Sequence, residues 1–202
     1  MTMTRQDSIH SQPILDLLNI RAHPIPVRNN KENIPAALDW PQNERPDHGG
    51  VYAFWWRKGL TDLLTQIENH TVAFHGPGGQ DAEVILLTVN ECDFNECNGM
   101  VPLYIGKTQQ SIATRVGQHL LLKTPWSIPR NLGHGMHKRK TTACQVRDRF
   151  DRLFHSTEDT RSLLVENLAL SWVEIDCWKQ RFFFEVYAIG HYRPLFNLDC
   201  ER

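Results

Sequence analysis

The sequence predicts a single α/β domain, α+β in type, behind an N-terminal arm. Two observations carry this. Short apolar or alternating runs of strand length, at 51–56, 83–89, 102–106 and 170–176, are interspersed with segments of helical spacing. The 202 residues, 41% hydrophobic, also supply apolar material for one core plus decoration. No run approaches the roughly 18 apolar residues of a membrane span, and residues 1–7 lack a secretory apolar segment. Five cysteines without a disulfide-scaffold pattern fit a reducing compartment. The expectation is a soluble, cytoplasmic protein with no membrane association.

Residues 1–48 read as a leader. Its 14–20 stretch, Ile-Leu-Asp-Leu-Leu-Asn-Ile, suits one or two helical turns, whereas Pro24, Pro26, Pro35, Pro41 and Pro46 keep much of the rest extended or turning. The domain then spans 49–202. Residues 51–56, preceded by Gly49 and Gly50, form a β-branched and aromatic run suited to a buried strand. Leu60, Leu63, Leu64 and Ile67 give 60–68 helical spacing, Gly76-Pro77-Gly78-Gly79 marks a turn, and 83–89 is a strand. Residues 102–106 make the next strand. Ile112, Val116 and Leu120 form one stripe of an amphipathic helix over 111–123. A loop rich in glycine and proline at 125–135 precedes helices at 142–153 and 162–168. Residues 170–176 alternate as a strand, and 179–192 is a last helix that Pro194 prevents from continuing. Trp55, Trp56, Trp172 and Trp178 are expected in the core. No internal repeat appears.

The residues with chemical potential come in a fixed order: Gly50-Val51-Tyr52, Tyr104-Ile105-Gly106-Lys107, Arg115, His119, Glu185 and Asn197. A tyrosine hydroxyl can exchange a proton with an attacking water if positive charge lowers its pKa from about 10, and Lys107 is a candidate source of that charge. The Arg115 guanidinium suits a phosphate whose charge grows in the transition state. Glu185 is a hard oxygen ligand of the kind Mg²⁺ accepts. Arg115 and His119, four apart, share a helix face. A tyrosine taken singly is more often a core residue with its hydroxyl satisfied at an edge. An unpaired Glu185 among Phe182, Phe183, Phe184 and Val186 would be costly, so a metal or a basic neighbour is expected beside it.

This order resembles the GIY-YIG nuclease family. Arg115-Val116-Gly117-Gln118-His119 reproduces the family's arginine followed four positions later by tyrosine or histidine. Glu185, then Arg193-Pro194-Leu195-Phe196-Asn197, reproduces its helical glutamate, proline-containing turn and asparagine. The resemblance covers roughly 49–56, 101–121 and 169–199. It implies a small, mostly antiparallel three-stranded sheet flanked by helices, with 170–176 as the third strand, and a metal-dependent DNA endonuclease using Mg²⁺ or Mn²⁺. Tyr104 or Tyr52 would accept the proton with Lys107 and His119 assisting, Arg115 would hold the scissile phosphate, and Glu185 would bind a single metal. Asn197 would serve as a structural or substrate contact. Compact members join the two motif strands in a tight hairpin; here 57–100 is an insertion, read as a helix and an extra strand.

The net charge of −1 gives no global attraction to DNA, so contacts must come from a patch. In the 124–168 segment, between Arg130 and Arg152, the basic residues Arg130, Lys138, Arg139, Lys140, Arg147, Arg149 and Arg152 face only Asp148 and Asp151, an excess of five positive charges. Phosphate contacts are expected at Arg130, Lys138, Arg139, Lys140 and Arg147; the plainer reading is a solvated face. Cys92, Cys97, His134 and His137 lack convincing zinc spacing. The rival readings are a noncatalytic nucleic-acid-binding module and an RNA-cleaving nuclease. Cutting both strands with one site per chain favours a homodimer or two sequential events.

Overall fold

The computed structural model describes residues 22–67, 71–75, 84–89, 95–123, 145–154 and 160–197. In chain order the elements are β1 (His23–Pro24), β2 (Val27–Asn29), β3 (Pro35–Leu38), β4 (Gly50–Trp56), α1 (Gly59–Gln66), β5 (Thr71–His75), β6 (Val84–Thr88), β7 (Val101–Thr108), α2 (Ile112–Leu120), α3 (Gln145–Leu153), α4 (Arg161–Asn167), β8 (Leu168–Glu174) and α5 (Trp178–Tyr192). The main sheet has the order β1-β8-β4-β7, every pair antiparallel. It has four strands rather than the expected three, because the arm contributes β1 beside β8. None of the described helices is long and apolar enough to cross a membrane.

The central strand is β4, paired along its whole length with β8 on one side and β7 on the other. Its seven residues are all buried, which explains an apolar run with no polar alternation. Side chains still alternate between two cores. Tyr52, Phe54 and Trp56 point into one, with Ile112, Val116 and Leu120 of α2 and Val146 and Phe150 of α3. Val51, Ala53 and Trp55 point into the other, with Phe184, Ala188 and Tyr192 of α5. The indole N–H groups are satisfied: Trp55 donates to Ser171 Oγ at 2.8 Å and Trp56 to Asp62 Oδ2 at 2.9 Å. The β4–β7 register shifts after Phe54, whose partner is Tyr104, so that Trp55 faces Pro102. The extra residue, Leu103, therefore joins Tyr104 in the same core.

Residues 22–48 are part of this body. Pro46 and His48 carbonyls accept the N–H groups of Ala113 and Ile112, at 3.0 and 3.1 Å, and so cap α2. β2 and β3 form a separate hairpin. The arm's 14–20 stretch and the Gly76–Gly79 turn lie outside the described residues. The insertion holds the expected helix, but its strand at 84–88 pairs with a second one, 71–75, as a two-stranded sheet of its own. Of the tryptophans expected in the core, Trp55 and Trp56 are fully buried, Trp172 is half-buried against Trp40 and His23, and Trp178 is exposed. Trp178 precedes the first turn of α5 that meets the sheet, so nothing in either core reaches it.

β7 is an edge strand of the main sheet, yet its outer side is occupied. Arg193 closes α5 in a left-handed conformation (φ 44°), and Pro194 then directs the chain back along β7. Leu195 and Phe196 donate to the carbonyls of Pro102 and Leu103, at 3.3 and 2.6 Å. The Asn197 amide completes the row: Oδ1 accepts from Ile105 N–H at 2.8 Å and Nδ2 donates to Ile105 O at 2.7 Å. One side chain thus imitates a paired strand residue. Asn197→Ala is expected to lower stability by about 1–3 kcal/mol, because both backbone groups of Ile105 lose their partner. The urea midpoint should fall with its slope unchanged; an unchanged midpoint would mean that water replaces the amide without loss.

Candidate active site

Four elements bring polar side chains to the β7 end of the sheet. β4 supplies Tyr52, β7 supplies Tyr104 and Lys107, α2 supplies Arg115 and His119, and α5 supplies Glu185. The rotation of α2 follows from its sequence. Ser111 caps it by accepting from Thr114 N–H at 3.2 Å, and the stripe Ile112, Val116 and Leu120 is fully buried. His119 lies beside that stripe and points inward, whereas Arg115 lies at the boundary, half-buried, donating to Gln118 Oε1 at 3.0 Å.

Tyr52 and His119 are both fully buried and share a hydrogen bond of 2.7 Å between the hydroxyl and Nε2. The other ring nitrogen, Nδ1, has no partner among the described residues. We assign the proton to Nε2, which donates to the hydroxyl, because an orphaned acceptor is less costly than an orphaned buried N–H. Arg115 also hydrogen-bonds Tyr52, and Tyr52 hydrogen-bonds Tyr104. Ring centroids lie 6.3 Å apart for the two tyrosines and 5.0 Å apart for Tyr104 and His119.

Gly106 makes this packing possible. It faces Tyr52 in the β4–β7 register, and a Cβ there would lie 2.7 Å from the Tyr52 hydroxyl and 2.8 Å from Cε1 of Tyr104. Both contacts are closer than carbon tolerates, so the glycine is required by space. Gly106→Ala is expected to destabilise the fold by about 1–3 kcal/mol through overpacking. Retention of wild-type thermal stability would show that the two rings move aside freely.

Burial dominates the electrostatics. It raises the Tyr52 pKa well above 10, reinforced by Tyr104 and Glu185 and opposed by Arg115. Burial also raises Tyr104 to about 12, opposed chiefly by Arg149, with Arg115 and the Tyr52 hydrogen bond helping. Both hydroxyls therefore hold their protons at neutral pH, contrary to the lowered pKa expected from the sequence. Lys107 is not the positive neighbour either. Its Nζ forms an ion pair with Glu185 Oε2, while its backbone N–H donates to Glu185 Oε1 at 3.0 Å. Positive charge at the tyrosines comes from Arg115 and from Arg149 of α3, which the sequence reading counted as basic but gave no role. A signal was present: Arg149 lies on the buried stripe Val146, Phe150 and Leu153, where a cation is out of place.

The remaining candidates separate. Asn197 holds the backbone of Ile105, between Tyr104 and Gly106, and is a positioning residue. Arg147, expected to contact phosphate, is fully buried: its Nε donates to the Asp151 carboxylate at 2.7 and 2.9 Å and Nη1 reaches Leu120 O at 3.5 Å. A buried guanidinium must be paired, and this one ties α3 to α2 and meets no solvent. Arg130, Lys138, Arg139 and Lys140 lie outside the described residues, as do Cys92, His134 and His137.

Comparison with known proteins gives no match to any family model, curated protein or solved structure. The functional reading therefore rests on the residues and their geometry. Among the described residues, no group of three or more histidine, cysteine, aspartate or glutamate side chains could hold a metal ion. Glu185 is the acidic group whose charge acts on both tyrosines. A lone carboxylate fits Mg²⁺, which keeps several waters and often takes only one or two protein oxygens; it does not fit zinc.

His119 makes the site sensitive to acid. Burial, with help from Arg115 and Arg149, lowers its pKa from 6.5 to about 3. Between those values the unfolded chain binds a proton that the folded one refuses, so stability rises with pH across that window. Wild type is expected to lose on the order of 1 kcal/mol per pH unit below 6.5 relative to His119→Gln. Urea midpoints of the two proteins, measured from pH 6.5 to 4.5, check this, and parallel curves would place His119 in water.

Proposed function

We propose that this protein is a divalent-metal-dependent endonuclease that hydrolyses DNA phosphodiester bonds, with an active site of the GIY-YIG type. The observation that carries the reading is the convergence of Tyr52, Tyr104, Arg115 and His119 on one hydrogen-bonded cluster within the field of Glu185. These residues lie up to 133 positions apart in sequence, and core packing alone would favour apolar side chains in their place.

The roles divide by environment. Tyr104 retains slight exposure where Tyr52 has none, so it is the group that takes the proton of the attacking water, in its tyrosinate form. Tyr52 donates a hydrogen bond to Tyr104 and thereby stabilises that form. His119 is neutral at working pH and fixes the Tyr52 hydroxyl; it is a positioning residue here, not an acid. Arg115 has one side free of the core, and its fork exchanges Gln118 for the scissile phosphate. Glu185 would hold Mg²⁺ or Mn²⁺ once Lys107 Nζ moves off Oε2. The ion would supply charge stabilisation at the phosphate and cancel the upward pull of Glu185 on the tyrosines.

Supercoiled plasmid and branched DNA, incubated with Mg²⁺, Mn²⁺ or EDTA, test the proposal. Wild type should cut at least one of them in a metal-dependent way. Glu185→Gln and Arg115→Ala should each reduce the rate by about 10²–10³-fold, the scale of a lost transition-state contact, with DNA affinity and the circular dichroism spectrum retained. Metal-independent cutting, or cutting that survives both substitutions, would overturn the mechanism. Tight binding without cutting would assign the chain to noncatalytic recognition.

A further inference from the structure

α5 buries one side against the sheet through Phe184, Ala188 and Ile189 and leaves large apolar side chains on the other. Trp178, Phe182, Phe183, Val186 and Tyr187 are between 49% and 61% exposed. One such residue is ordinary, but five on consecutive turns form a contiguous patch. At about 200 Å² per aromatic side chain, they leave roughly 500 Å² of apolar surface in water. That is the greater part of the about 800 Å² per partner in a standard interface.

The order of side chains along this face identifies what fits it. Trp178, Phe182, Val186 and Gly190 stand four apart and form one ridge of the helix. The ridge runs from large to small, and a Cβ at Gly190 would meet nothing within 4 Å. Laid antiparallel against itself, it sets Trp178 of one copy against the open space at Gly190 of the other, and Phe182 against Val186. Laid parallel, it would crowd tryptophan on tryptophan and leave the glycines facing a gap. Two cations near the ridge stand over aromatic rings, Lys179 Nζ 5.8 Å from the Trp178 centroid and Lys107 Nζ 5.0 Å from that of Phe182. Large exposed aromatic side chains are characteristic of an interface between proteins.

We propose that α5 is the surface through which two copies of this chain associate, antiparallel about a two-fold axis near residue 184, with Trp178 over Gly190 and Phe182 over Val186. Such an interface is isologous and closed, so association stops at two. The inference stands independently of the proposed chemistry. If both hold, Glu185 lies one residue from the axis, and the two candidate sites flank it.

Light scattering and sedimentation of the full chain at roughly 100 µM and below test the proposal, because a dimer responds to concentration. Wild type should approach twice the 23.4 kDa chain mass. Val186→Glu puts a carboxylate opposite the partner's phenyl ring and should weaken association at least about 100-fold. Gly190→Trp should also weaken it by filling the space that Trp178 needs. Both positions are exposed, so the circular dichroism spectrum should be unchanged. Register is read by cross-linking: a Phe182→Cys chain mixed with a Val186→Cys chain should form the mixed disulfide in preference to either homodimer, as identified by peptide mass. A monomeric wild type, or a dimer indifferent to Val186→Glu, would overturn the proposal. A monomer whose single-stranded DNA binding is lost in Val186→Glu would overturn it too, in favour of base stacking on these rings.

Discussion

The hydroxyl of Tyr52 is the constraint around which the site is built. β4 is covered on both faces and paired on both edges, so every polar atom on it must find a partner inside the protein. His119 meets that need from α2, and the 2.7 Å contact fixes how α2 is rotated against the sheet. Arg115, one turn earlier on the same helix, then falls at the boundary between core and solvent. Gly106 keeps the space opposite the hydroxyl open. Core packing and the candidate chemistry are therefore one arrangement: moving Tyr52 would move the arginine.

The buried titratable groups of the site are held in their neutral forms. Burial holds His119 uncharged and both tyrosines protonated, while Arg115 and Arg149 oppose the rise of the tyrosine pKa values without reversing it. Glu185 acts in the opposite sense and is itself balanced by Lys107. Added positive charge at the Glu185 end, from a bound cation, shifts both tyrosines in the direction of ionisation. That is how a structure with two unreactive phenols can still be suited to proton transfer.

The sequence reveals strongly periodic elements and conceals those decided by tertiary partners. β4, β7 and α5 lie within a few residues of expectation because apolar periodicity and Pro194 mark them. α2 stops at Leu120, three residues early, because Leu121 adopts the left-handed conformation (φ 47°), which a leucine seldom does. β1 is two residues long and contains a proline, so no pattern announces it. Among site residues, chain order brought forward Tyr52, Tyr104, Arg115, His119 and Glu185. The partner of Lys107, 78 residues away, was beyond local reasoning. Arg147 was different: Asp151, its partner four positions along a predicted helix, was visible, and counting net charge over a segment ignored the pairing within it.

The long connection between β4 and β7 needs little compensation. Replacing a hairpin turn of a few residues by roughly 44 residues, from 57 to 100, amounts to about three doublings of loop length, or about 2 kcal/mol of closure entropy. Against this, β4 and β7 pair over seven residues, and both cores draw on the strands they form. The segment also reduces its own freedom, since α1 and the β5–β6 pair are ordered within it, and Asp62 of α1 accepts from the Trp56 indole at the very end of β4. Strand pairing that brings Tyr52 and Gly106 face to face is thus insensitive to what connects the strands. The geometry of the site depends on the register between them, and the connection is free to carry other functions.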